Sequence, residues 1–166
     1  NQASGRGGGI HVSGGAPLLE SVVVRGNQAD GDGGGLSVAG GVIDFSGGQV
    51  VGNSAGDDGG GLYLSSGGTW LRSTEISGNE AAEKGGGLYV ISSDLQADRV
   101  LLADNTAGTR GGGALIDDAD IELRSTVFRD NVAGDDGGGL LVAGCAPALD
   151  GVVLYANSAG GDGGGL

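Results

Sequence analysis

Few residues in this chain have the type and spacing for chemistry. Four carboxylates, Asp94, Asp117, Asp118 and Asp120, crowd one stretch, with Asp94 and Asp120 lying 26 residues apart. Several carboxylates around one turn suit Ca²⁺, a hard cation that takes oxygen ligands. The plainer reading is a solvated acidic turn. A second set is Asp98 with Arg72 or Arg124, charges that could converge on one sheet groove for polysaccharide binding or carboxylate-based cleavage. His11 is the only histidine and has no serine or cysteine motif partnered to it. GxSxG, HExxH and CxxC are all absent. Cys145 is the only cysteine, so no intrachain disulfide forms, and it stands where other repeats place Gly, Ser or Ala. Tyr63 and Tyr89 share a column; such a pair usually packs a sheet, with sugar contact as the functional alternative. Trp70 and Tyr155 stand apart. No residue is assigned to catalysis, and no cofactor is expected beyond Ca²⁺ at the acidic turn.

The elements that must position these residues come from a repeat. The asparagines are Asn1, Asn27, Asn53, Asn79, Asn105, Asn131 and Asn157, each 26 residues from the next. An alanine follows each by two positions, and a Gly-Gly-Gly triplet begins six positions on. The period runs without insertion or deletion. A fixed period between about 20 and 50 residues marks a solenoid or array.

Apolar positions recur with the same period. One column is Ile10, Leu36, Leu62, Leu88, Ala114, Leu140 and Leu166, and a second lies two residues on, from Val12 to Val142. Spacing of two is the strand period. Further columns run through Leu19, Phe45, Leu71, Ala97, Leu123 and Leu149, and through Val24, Val50, Ile76, Leu102, Phe128 and Leu154. Each repeat thus offers three short strands between Gly, Ser, Asp and Asn turns. A helical reading fails, because glycine is too dense and the three-and-four spacing is missing. A propeller blade needs about 40 residues. The pattern predicts an all-β chain: a three-sided parallel β-helix, or β-solenoid, with 26 residues per coil, six full coils and a partial seventh over residues 1–166. A single coil cannot bury its own apolar stripe, so several must fold together.

The corners read as structural. Each asparagine follows the third strand, where its amide tolerates a bent backbone and bonds locally. Stacked at the strand spacing of about 4.8 Å, the amides can form a ladder. The alanine two residues on fits an inward position at a tight turn. The triplet supplies φ > 0 and close approach of backbone. It runs into a strand without a following Lys-Ser or Lys-Thr, which excludes a phosphate loop. The residue before the triplet is Arg6, Asp32, Asp58, Lys84, Arg110, Asp136 and Asp162, and a calcium ladder would not place cations in its own column. That column instead predicts ion pairs between coils, Asp58 with Lys84 and Arg110 with Asp136. The column Arg72, Asp98, Arg124, Asp150 alternates in sign and predicts more of them.

Composition bounds the partners. Gly plus Pro is about a quarter of the chain, where an aperiodic sequence would be disordered. The net charge of −13 argues against nucleic acid, whose phosphates need clustered Lys and Arg. No apolar run reaches the length of a membrane span. Methionine is absent throughout, which points to a processed protein or an excerpt of a longer repeat protein.

Phe128-Arg129-Asp130-Asn131 followed by Gly137-Gly138-Gly139-Leu140 resembles the FxxN and GGA[I/L] repeats of the polymorphic outer-membrane protein family. The chain is also similar to the right-handed parallel β-helix repeat surface proteins of bacteria, where runs like LRSTEISGN (71–79) and AGDDGGGLLV (133–142) are typical. The resemblance spans the whole chain. Only Phe128 keeps the family's Phe, and a third glycine replaces the common Ala. The resemblance implies right-handed coiling and a bacterial extracellular or outer-membrane location. The fold hosts adhesins, autotransporter passengers and polysaccharide lyases, so it does not select among them. The expected role is a non-enzymatic structural shaft or fibre segment, adhesive or filament-forming. Its expected partners are further coils or copies stacked end to end, and host or cell-surface glycans or proteins. The alternatives are a carbohydrate-binding or polysaccharide-cleaving β-helix protein, and a calcium-dependent adhesin.

Overall fold

The computed structural model describes residues 1–166, all strand, turn and bend without a helix. Each coil follows one path. A two-residue strand follows each asparagine, from Gln2–Ala3 to Ser158–Ala159, and these strands stack into a seven-stranded sheet. The glycine triplet then turns the chain into a ten-stranded sheet, where Leu36–Ser46 and Leu62–Arg72 run unbroken for eleven residues. A third, six-stranded sheet runs from Val23–Arg25 to Val153–Tyr155. All strand pairs are parallel, and each partner lies one 26-residue coil away, as in Leu36↔Leu62↔Leu88↔Ala114↔Leu140. The chain is a right-handed, three-sided parallel β-helix, as its columns predict.

Inward columns fill the tube. A single cluster of 23 buried residues runs along it, with Phe45, Leu62, Leu64, Ile76 and Phe128 among the most enclosed. Residues i and i+2 face inward along each strand because side chains alternate. The alanines of the seven-stranded sheet, Ala29, Ala55, Ala81, Ala107 and Ala133, are buried where the tube is narrowest.

Two features depart from the sequence reading. The first two strands expected in each coil belong to one sheet, not to two sides. In the second and third coils they fuse through Gly40–Gly41 and Ser66–Gly68. A Cβ at Gly67 would strike the Gly41 carbonyl, so glycine there lets adjacent backbones stay in contact through the bend. The third side is built by the Asn-x-Ala corner, expected as a turn. Its backbone pairs with the coils on both sides, as when Ser54 N–H donates to Asn27 O at 2.9 Å and Glu80 N–H to Asn53 O at 2.9 Å. A turn whose N–H and C=O groups meet equivalents in every neighbouring coil becomes a strand.

Candidate functional site

The asparagine corner accounts for the most repeated residues. Each Nδ2 donates to the Oδ1 of the next coil's asparagine at 2.7–3.0 Å, from Asn1 through Asn27, Asn53, Asn79, Asn105 and Asn131 to Asn157. The same Oδ1 accepts the previous asparagine's backbone N–H, as Asn79 Oδ1 does from Asn53 at 3.0 Å. The second hydrogen of Nδ2 goes back to a strand carbonyl, Val50 O for Asn79 at 3.0 Å. Asn53, Asn79, Asn105 and Asn131 are thus fully bonded and fully enclosed. The glycine triplet fits around them. Gly59 has φ 66°, which only glycine adopts cheaply. A Cβ at Gly60 would run into the Glu80 carbonyl, and one at Gly61 would lie 3.0 Å from the Asn79 amide. Each glycine has its own steric reason, and none faces a ligand.

The acidic turn sits at the bend of the ten-stranded sheet. Asp94, Asp118 and Asp120 line an open cleft of about 480 Å³ with Ser92, Ser93 and Cys145. Asp117 does not join them. It ends the strand Ala114–Asp117, and its charge acts on Tyr89 instead. No three His, Cys, Asp or Glu side chains in the molecule converge closely enough to hold a metal ion. The predicted Ca²⁺ turn therefore lacks the converging oxygens of a site with about 6–8 ligands.

The Asp98 cluster lies on the outer face of the same sheet. Arg72↔Asp98↔Arg124↔Asp150 are in register, but the ion pairs leave the column. Arg72 Nη1 meets Asp44 Oδ1 at 2.6 Å, Arg124 pairs with Glu122 on its own strand, and Asp98 Oδ2 meets Arg99 Nη1 at 3.0 Å. The expected pairs down the column are absent because long guanidinium arms reach diagonal and adjacent carboxylates equally well. The expected Asp58–Lys84 pair is also replaced. Asp58 Oδ1 accepts the Lys84 backbone N–H at 3.0 Å, and Lys84 Nζ lies 6.0 Å from the Tyr89 ring centre. Burial, set against the attraction of Lys84, raises the Asp58 carboxyl above its ordinary 3.8. Arg6 and Asp32 do pair along that column, at 2.8 Å.

Tyr63 and Tyr89 meet edge to face, 5.6 Å between centroids. They form a small buried cluster with Leu115, outside the main core. The glycine turn packs on them: a Cβ at Gly59 would approach Tyr63 Cβ to 2.9 Å. Burial, helped by Asp58 and Asp117, pushes the Tyr89 hydroxyl up to about 12. Neither ring is open to a sugar. His11 is exposed opposite Ser37, and Cys145 is a free, half-buried thiol packed against the core.

No protein-family model, curated protein or solved structure matches this chain. The residues that sequence reasoning passed over are Trp70 and its neighbours. Trp70 stands exposed in the outward column Asp44↔Trp70↔Gln96↔Glu122. The available signal was a lone tryptophan at an outward strand position, two residues beyond a glycine.

Proposed function

We propose that this chain is a non-enzymatic structural shaft, a segment of a bacterial cell-surface or extracellular protein. The observation that carries the reading is mechanical. Core columns, amide ladder and backbone bonds all repeat in one 26-residue register, as at Asn53, Asn79 and Asn105, so every coil is tied to the next in the same way. A solenoid of this kind resists bending and spaces whatever it carries. The outer hollows are shallow, and Asp98 is paired with Arg99 rather than aimed into a cleft with a second carboxylate. The surface location rests on the family resemblance of the repeat motifs.

Two measurements test the reading. An antibody to this chain is expected to label intact cells that produce the full protein; labelling only after lysis would overturn the surface location. A screen against polysaccharides is expected to find no turnover. Turnover that disappears in Asp98→Ala would make the protein an enzyme instead.

A further inference from the structure

Trp70 is the only tryptophan in the chain and is 40% exposed. Arg72 occupies one side of it, with the guanidinium 5.0 Å from the ring centre and tied to Asp44 at 2.6 Å. Away from Arg72, the indole walls a hollow of about 230 Å³ together with Val42, Gly68, Thr69, Asp94 and Gln96. Gly68 creates this hollow. Its φ is not positive, and a Cβ added there would meet only Val42 Cγ2, at 3.9 Å. Neither conformation nor packing demands glycine at 68, in contrast to Gly59, Gly60 and Gly61. The missing side chain instead leaves space beside the ring, between the register neighbours Val42 and Asp94. Asp94 and Gln96 are exposed and stand at the rim.

We propose that this hollow binds one pyranose ring of a neutral oligosaccharide. A sugar ring is apolar across its C–H face and polar around its edge. The hollow divides the same way, with indole and Val42 as the apolar wall and the Gln96 amide and Asp94 carboxylate placed for hydroxyls. Its volume lies below the roughly 300–1,000 Å³ of pockets that enclose a drug-sized ligand. That suits one unit of a chain lying across the sheet. A second hollow of about 220 Å³ shares Trp70 and Gln96 and adds Arg72, Asp98, Glu122 and Arg124, giving donors and acceptors for the next unit. Charge selects the neutral class, because Asp94 and the net −13 of the chain repel acidic glycans. This surface would give the shaft a partner on one flank.

Tryptophan fluorescence reports on this place alone. Titrating the full chain with cellohexaose, maltohexaose and chitohexaose is expected to change the emission with at least one of them. Gly68→Val fills the hollow and is expected to weaken that binding by about tenfold or more. Gln96→Ala, an exposed change that leaves the coil folded, weakens it as well. The proposal is overturned if no sugar changes the emission, or if both variants respond as the parent does. A response to tetralysine alone also overturns it, since the carboxylates would then be a cation site.

Discussion

The asparagine corner and the bend of the ten-stranded sheet are both places where each coil changes direction, yet they are built differently. At the corner every coil uses the same residues, and each amide is bonded on both sides, as Asn79 is to Asn53 and Asn105. At the bend the residues change from coil to coil: Gly40–Gly41, Ser66–Gly68, Ser92–Ser93, Asp118–Asp120, Gly144–Ala146. The strand is continuous through the first two of these and broken at the next three, where the cleft opens. The difference follows from burial. A buried polar corner must satisfy every donor in each coil, so only one solution repeats. A solvent-facing bend lets water complete its hydrogen bonds, so sequence is free to vary and surface features can collect there.

The sharpest way to break this contrast is to cut the ladder in its middle. Asn79→Ala strips the acceptor from two buried donors of Asn53, its backbone N–H and its Nδ2. At about 1–3 kcal/mol for each donor left bare, the expected loss is about 2–6 kcal/mol by urea unfolding. Asp120→Ala, at the bend, is expected to stay within about 0.5 kcal/mol of the parent. Comparable losses at the two sites would erase the distinction.

Glycine gives the next largest effect. Gly60→Ala forces a methyl against the Glu80 carbonyl and is expected to cost about 3 kcal/mol. Gly68→Ala has room for its methyl and is expected to gain about 0.4–1 kcal/mol by restricting the unfolded chain. The pair of melting curves should move in opposite directions.

A smaller effect separates buried from exposed charge. The Asp58 carboxyl titrates above its ordinary value, chiefly through burial. It therefore holds a proton more tightly in the folded chain, and its contribution favours folding below about pH 4 and is lost as pH rises. Asp58→Asn keeps an oxygen for the Lys84 N–H. It is expected to raise the melting temperature at neutral pH and to make no difference near about pH 3. A gain equal at both pH values would mean that ionisation is not the cause. Least of all is expected from Arg72→Ala, whose pair with Asp44 is solvent-exposed and worth about 0–1 kcal/mol. A larger loss in thermal unfolding would make the outer ion pairs part of what holds the coils together.

What was legible in the sequence was the relation between coils. A residue and its equivalent 26 positions away are neighbours because the solenoid stacks in one dimension, as Ile76↔Leu102 and Ala81↔Ala107 show. The core columns and the asparagine ladder follow from that relation alone. The path within a coil was not legible, because no period describes it. Only the tertiary structure decided that two expected strands share a sheet and that the Asn-x-Ala corner is itself a strand. The same folding back of the glycine turn buried Tyr63 and Tyr89, two outward residues that a strand pattern leaves in water. It left Trp70 beside an empty Gly68. Arginines chose partners off their columns because an exposed guanidinium is long, flexible and screened, so register does not bind it. Periodicity sets which coils touch; the bends set which outward side chains meet water, a neighbour or a ligand.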